Sequence, residues 1–358
     1  MCYNRSAVGA QGDPPLKLLL ATDAWHPQVN GVVRTLSAVI DELRKRGHIV
    51  EVVAVGDYPD IPLPSYPEIR LAYWFKGLSR RIEAFDPDAI HICTEGPVGF
   101  MVRRYCLRQG LSFTTSFHTR FPEYVHGRFP IPIDRGYSLI RRFHDPARCT
   151  LVPTASVAQD LQTRGFQHLK VWSRGVDTTL FRPELRTSMP LPRPIMLNVG
   201  RVVLDKNLEA FLDLDLPGTR VVVGDGPQLR ELRKRYPDAI FTGFRHGEEL
   251  ARYYASADVF VFPSLTDTFG LVMLEAIACG TPVAAFPVTG PVDVLEQGVT
   301  GFMHEDLAIA TTRALKLERD SCARIAKDYP WWKTAHQLLQ ALVPVSKDKI
   351  TTVNGVIE

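Results

Sequence analysis

The sequence predicts an α/β protein of two doubly wound domains with a cleft between them. Three observations predict it. Short apolar, β-branched runs alternate with helix-like segments along all 358 residues. The runs are apolar on both faces, as in parallel strands covered by helices on each side. A proline-rich stretch, FRPELRTSMPLPRP (181–194), divides them into two sets of five, and the chain is long enough for two domains of ordinary size.

The first set comprises 16–22, 49–55, 89–93, 111–117 and 149–153. The second comprises 195–200, 220–224, 239–243, 258–263 and 282–286. The expected organisation follows from these runs. A flexible lead-in covers 1–15 and a first domain 16–176. A linker covers 177–194 and a second domain 195–325. A helix over 326–345, carrying Trp331 and Trp332, returns to the first domain, and a mobile tail covers 346–358.

Composition narrows the function classes. The chain is 45% hydrophobic and 23% charged, ordinary for a globular protein. Its six cysteines are dispersed with no CxxC pair, which argues against a disulfide framework or zinc site and for a reducing compartment. No apolar run approaches the roughly 18 residues of a membrane span, and the N-terminus has no signal-peptide core. Residues 1–174 hold 22 Lys and Arg against 16 Asp and Glu, whereas 175–358 hold 20 against 23. A basic first half suits an anionic surface such as a membrane leaflet, or is simply scattered solvated charge. Nucleic-acid binding has little support, because the net charge is only +3 and no basic-aromatic module is present.

The most informative segment is DVFVFPSLTDTFGLVMLEA (258–276). A strand-like run ends at Pro263, a polar turn carries Asp267, and a helix-like stretch carries Glu275. The first amides of such a helix are unpaired and partly positive, so a phosphate docks there. The flanking carboxylates suit the hydroxyls of a sugar or ribose. Upstream, NVGRVVLDKN (198–207) places Arg201 and Lys206 just beyond a strand end, where they could clamp a diphosphate. VVVGDGPQLREL (221–232) adds a tight turn at Gly226 but lacks the third glycine of a dinucleotide fingerprint. Phe244 and Arg245 could border a base, while Leu250, Tyr253 and Tyr254 read as core.

In the first domain, Asn30 and Gly31 stand at a helix start, either as a simple cap or as a point where a ligand approaches the amides. His118 lies just past a strand end, where open parallel sheets bind ligands. Arg174, in WSRGVDTTLFRP (172–183), either bridges the cleft or caps a loop. Two DxD pairs, Asp86/Asp88 and Asp213/Asp215, offer a metal alternative. Neither lies at the carboxyl end of a strand, so no metal is expected.

These motifs in this order resemble a retaining glycosyltransferase of family 4 with the GT-B fold, two Rossmann-like domains facing a cleft. GRVVLDKN, VVVGDGPQL and PSLTDTFGLVMLEAIACGTPVAAFPVTGPVDVLEQGVTGF carry the resemblance in the second half. TDAWHPQVNGVVRTL, SFHTRF and SRGVDTTLFRP carry it in the first, so that it spans about Leu16 to Trp332. The resemblance implies that a UDP- or GDP-sugar binds in the cleft without a metal or other cofactor. Arg201 and Lys206 would hold the diphosphate. Thr268, Phe269, Gly270 and Leu271 would meet phosphate and sugar, Phe269 to Leu271 through their backbone amides. Glu275 would bind the ribose, the Asn30–Gly31 loop would press on the diphosphate, and His118 would contact the sugar. Together His118, Arg201, Lys206, Asp267 and Glu275 form the expected catalytic set. The family usually has Glu where Asp267 stands, so the contact to the sugar hydroxyls is placed differently here.

The acceptor is expected to be a membrane lipid such as diacylglycerol, because the first-domain motif resembles that of lipid glycosyltransferases. The segment YWFKGLSRRIEAF (73–85) reads as a basic amphipathic helix, with Trp74, Phe75, Lys76, Arg80 and Arg81 on the acceptor or membrane side. IRRFHDPAR (140–148) is also basic. The expected location is cytoplasmic, peripheral at the inner face of the plasma membrane. Transfer of mannose, or transfer to a polysaccharide or phosphatidylinositol, is the alternative within the class. A nucleotide-sugar epimerase or a non-catalytic binding protein is the alternative outside it.

Overall fold

The computed structural model describes residues 15–63, 66–126 and 131–346. Apart from their edge residues, the expected lead-in and tail lie outside these. The first sheet contains β1 (Lys17–Thr22) and β2 (Ile49–Ala54). A hairpin of β3 (Asp60–Leu63) and β4 (Tyr66–Ala72) follows. The first sheet then continues with β5 (Ala89–Ile92), β6 (Thr114–Ser116), β7 (Thr150–Val152) and β8 (Leu169–Val171). The second sheet contains β9 (Ile195–Val199), β10 (Thr219–Val223), β11 (Ile240–Gly243), β12 (Val259–Phe262), β13 (Val283–Ala285) and β14 (Gly301–Met303).

Both sheets are six-stranded, ordered β2-β1-β5-β6-β7-β8 and β11-β10-β9-β12-β13-β14, with every recorded pairing parallel. Strand order reverses beside β1 in one and beside β9 in the other. Ligands of open α/β sheets bind at such switch points, outside the carboxyl ends of the strands. Each expected strand is present, but each set holds six rather than five. The additions, β8 and β14, are three residues long, and β8 is a partly exposed edge of sequence LKV. The hairpin escaped notice because Pro62 and Pro67 mask its alternation.

Side-chain alternation explains why the strands are apolar on both faces. On one face of β1, Leu18 and Leu20 pack against Leu36, Val39 and Ile40 of helix Gly31–Lys45. Ala335 and Leu338 of the C-terminal helix Trp331–Ala341 join the same cluster. On the other face, Leu19 and Ala21 pack with Ile82, Val98 and Val102. In the second sheet, Leu197, Val221 and Phe260 face one layer, and Met196, Val222 and Val261 the other. Truncating one such buried leucine to alanine costs about 2–5 kcal/mol.

The C-terminal helix is fixed to the first sheet by polar bonds as well. Trp172 Nε1 donates to the Thr334 carbonyl at 2.9 Å, and the Ser173 amide donates to Gln337 Oε1 at 3.0 Å. Beside it the Val176 amide donates to the Tyr329 carbonyl at 2.8 Å. Gly175 is obligatory there, since a Cβ would lie 2.8 Å from Trp331.

The segment expected as one helix over 73–85 is corrected. The helix runs from Leu78 to Phe85, because Gly77 adopts a left-handed conformation (φ 85°) before it. Leu78 and Ile82 are buried. Phe75 turns inward against Tyr58, with ring centroids 5.0 Å apart. Arg81 also turns inward, pairing with Glu51 and Asp57 at 2.7 Å each. Trp74, Lys76 and Arg80 alone of the five acceptor-side residues remain exposed.

Candidate active site

The loop between β12 and helix Leu271–Ala278 forms the floor of the site. Gly270 caps the helix with φ 83°, a conformation that strains other residues. A Cβ there would lie 2.7 Å from Met273 and 3.0 Å from Phe262. Phe269 is buried in the second core, which holds the loop down. Among the described backbone bonds, the amides of Phe269, Gly270 and Leu271 donate to no carbonyl. They are the unpaired amides of a helix start, available to an anion.

Lys206 approaches this loop from the turn after β9. Its Nζ donates to both carboxylate oxygens of Asp267, at 2.6 and 2.8 Å. Burial pushes the Asp267 carboxyl up, but Lys206, Ser264 and Arg201 outweigh it and hold the group below the usual carboxylate range. Asn207 Nδ2 ties the same turn to the Pro263 carbonyl at 3.1 Å. Gly226 lies against the same turn, where a Cβ would stand 2.4 Å from the Val202 carbonyl oxygen. Phe244 is half exposed and stacks on His246 at 6.1 Å. Arg245 pairs with Glu249 at 2.9 Å.

Glu275 is buried on the second turn's inner face, and two partners hold its carboxylate. Tyr254 Oη donates to Oε2 at 2.9 Å, and Arg34 of the first domain ion-pairs with Oε1. Glu275 raises the Arg34 guanidinium above its already high value. Arg34 lies one turn beyond Gly31, so both face the same way. Asn30 caps that helix, its Oδ1 accepting from the amides of Val32 and Val33 at 3.0 Å. A Cβ on Gly31 would lie 3.6 Å from Leu271.

His118 closes the site from the first sheet. Its carbonyl accepts from Thr268 Oγ1 at 2.7 Å, so the ring is anchored beside the floor loop. Nδ1 faces Arg174 Nη2 at 3.1 Å, and Nε2 is buried without a partner. Burial, the Arg174 charge, and nearby His91 and His144 hold the imidazole well below its ordinary value. Two further links cross between the domains. The Ser156 amide donates to Asp293 Oδ1 at 2.9 Å, and Arg120 Nη2 donates to Thr289 Oγ1 at 3.4 Å.

The structure thus gathers Asn30, Gly31, His118, Lys206, Asp267, Thr268, Phe269, Gly270, Leu271 and Glu275 along one seam between the sheets. Arg201 sits at the Lys206–Asp267 end, as its effect on Asp267 records. Trp74, Lys76 and Arg80 share no recorded contact with these residues. Three participants were not read from the sequence as site residues: Arg34, Tyr254 and Arg174. A cation one helical turn past Gly31 was a usable signal for Arg34. Nothing local marked Tyr254, which looks like any core tyrosine. The DxD aspartates have structural tasks: Asp88 accepts from the Lys17 amide at 2.7 Å and Asp213 from Tyr236 Oη at 2.7 Å.

Residues 29–180 match the profile described as Glycosyltransferase Family 4, and residues 193–318 the profile described as Glycosyl transferases group 1. A GDP-mannose-dependent alpha-mannosyltransferase of Mycolicibacterium smegmatis is 30% identical over 80% of this chain and 84% of its own length. The chain belongs to glycosyltransferase family 4. Other relatives of this glycosyltransferase make glycolipids by name. Sulfoquinovosyl transferase SQD2 of Arabidopsis thaliana is 35% identical over 68% of this chain and 52% of that protein. Alpha-monoglucosyldiacylglycerol synthase of Streptococcus pneumoniae is 28% identical over 75% and 71%. Among solved structures, sucrose-phosphate synthase from Thermosynechococcus elongatus superposes with TM-score 0.72 at 22% identity, over 90% of this chain and 97% of that one. Anabaena HepE with UDP and glucose superposes with TM-score 0.67 at 17% identity, over 91% and 98%. The glycosyltransferase therefore has the GT-B fold and is a hexosyltransferase.

Proposed function

We propose that this enzyme transfers a hexose or uronic acid, with retention of configuration, from a nucleotide-diphosphate sugar to a hydroxyl of a membrane lipid such as diacylglycerol. The observation that carries the donor half is the seam itself. Unpaired amides at 269–271, the Lys206 ammonium and the Glu275 carboxylate lie on one wall, and His118 on the other. That is an anion site flanked by carboxylates, suited to a diphosphate with a ribose on one side and a sugar on the other.

In this reading Arg201, Lys206 and the helix amides stabilise charge developing on the departing diphosphate. Asp267 holds Lys206 in place and contacts the sugar hydroxyls. Glu275 takes the ribose. His118 donates from Nε2 to the sugar. The acceptor hydroxyl attacks from the face that the diphosphate leaves, and the leaving phosphate accepts its proton. No pair of protein carboxylates is then needed at the anomeric carbon, unlike in a hydrolase.

Two relatives named for glycolipid synthesis support the lipid acceptor, as do exposed Trp74, Lys76 and Arg80 on the more basic half. Among the described residues no helix is long and apolar enough to cross a membrane. Such an enzyme would reach its acceptor peripherally, at the inner leaflet, through basic side chains. A second reading, mannosyl transfer from GDP-mannose, is favoured by relatives of that name covering 80% and 91% of the chain.

The test is a thermal-shift screen across UDP-, GDP- and ADP-sugars, followed by reaction with diacylglycerol in anionic vesicles and chromatography of the extracted lipid. One donor should stabilise the protein, and its sugar should appear on lipid with unchanged anomeric configuration. An inverted product, or transfer only to water-soluble acceptors, would remove the corresponding part of the proposal.

A further inference from the structure

Arg174 is a buried cation of an uncommon kind. It is 5% exposed, yet its recorded bonds go to carbonyls and an imidazole, not to a carboxylate. Nη1 donates to the Trp172 carbonyl at 2.5 Å and the Ser173 carbonyl at 3.3 Å. The guanidinium lies over the Trp172 ring, 4.8 Å from its centroid, and 6.0 Å from the centroid of Phe269. Trp172 is itself fully buried and bonded to the C-terminal helix. The guanidinium is therefore held on a rigid support, and only Nη2 reaches outward, to His118 Nδ1 at 3.1 Å.

That last contact has one chemical solution. A guanidinium donates and has no lone pair to accept with. Nδ1 of His118 must accept, so the proton of the neutral ring sits on Nε2. Nε2 is a buried donor with no partner in the protein. An orphaned buried donor is costly unless a ligand satisfies it. The other titratable groups near the ring are His91, bonded to Thr114 and Ser116, and His144, bonded to Thr115 and Glu95. No carboxylate is recorded against His118 itself, so nothing there favours a second proton.

We propose that Arg174 is a positioning residue: it fixes the His118 imidazole as the neutral Nε2–H tautomer and leaves that single donor for a hydroxyl of the donor sugar. The inference rests on the reading of His118 as a sugar contact. It adds that the tautomer and the neutrality are imposed from behind the ring, before any ligand arrives. The hydrogen bond to the sugar should then be insensitive to pH across the working range.

The test uses the whole chain, with histidine-selective nitrogen NMR and turnover measured side by side. In the unaltered protein His118 should carry its proton on Nε2, with Nδ1 bare, from about pH 5.5 to about pH 8.5. Arg174→Met removes the donor and the charge with little change of volume. It should lower kcat by about tenfold or more and give kcat an acid limb as His118 begins to protonate. Arg174→Lys keeps the charge, so it should lose turnover without gaining the acid limb. A His118 proton on Nδ1, titration near the ordinary imidazole value in the unaltered protein, or a flat pH profile for Arg174→Met would each overturn the proposal. Full turnover by His118→Ala would instead sink the sugar-contact reading, and the NMR result would show separately whether Arg174 sets the tautomer.

Discussion

The guanidinium of Arg34 and the carboxylate of Glu275 form an ion pair that spans the two domains. Glu275 is buried and also receives Tyr254 Oη, whereas the Arg34 side chain is 39% exposed. The same carboxylate is the proposed ribose ligand. Donor binding and the Arg34 pair therefore compete for one group. A partly exposed pair is worth up to about 1 kcal/mol. Arg34→Met should tighten donor binding by about fivefold while lowering the melting temperature of the ligand-free protein. Calorimetric titration with the donor and a thermal scan check both. Weaker donor binding would mean that Arg34 serves the ligand directly.

Lys206 is held by both oxygens of Asp267 and stands beside the unpaired helix amides. Lys206→Ala removes the charge nearest the proposed leaving group. It should reduce kcat by about a hundredfold or more, and donor KM less. Unchanged turnover would refute the electrostatic role of Lys206.

Asp267 stands where the family usually has Glu. Asp267→Glu adds one methylene and must push either the carboxylate or Lys206 out of its present place. The ratio of kcat/KM between two epimeric donor sugars should change by about tenfold, the discrimination one small group supplies. Competition between the two donors in one reaction measures it. An unaltered ratio would mark the shorter side chain as tolerated drift.

His91 lies wholly inside the first sheet, bonded to Thr114 and Ser116, and burial pushes its imidazole down to about 3. The unfolded imidazole binds a proton below about pH 6.5. The unfolded state thus holds more protons between those values, and stability rises with pH across that window. The full contribution is present above pH 6.5 and is lost towards pH 3, at up to about 1.4 kcal/mol per pH unit. Urea unfolding at a series of pH values should show this slope, and His91→Gln should flatten it. His118 shifts in the same direction and adds to the effect.

Much of the fold was legible because parallel strands buried on both faces leave long apolar runs, and all ten such runs became strands. What was missed was short or interrupted: β8 and β14 have three residues each, and prolines break the β3–β4 hairpin. The floor of the site was legible because a strand, a glycine turn and a helix are local features. Its pairings were not. Lys206 and Asp267 were read as separate contributors to one site, and only the folded chain shows them bonded. Arg34 and Tyr254 reach Glu275 from 241 and 21 positions away, a relation no local pattern encodes. On the acceptor side, Arg81 read as a free cation until Glu51 and Asp57, both distant in sequence, were found beside it.

The chain passes between the two domains twice, near Val176 and again near Tyr329, and a 2.8 Å bond joins the two crossings. Two strands fastened side by side act as a two-pin hinge. They permit a swing about one line and resist twisting about the other two. The floor amides, Lys206 and His118 should then approach along the same path in every catalytic cycle, so that register across the cleft is built into the covalent chain and need not be found again by each incoming donor.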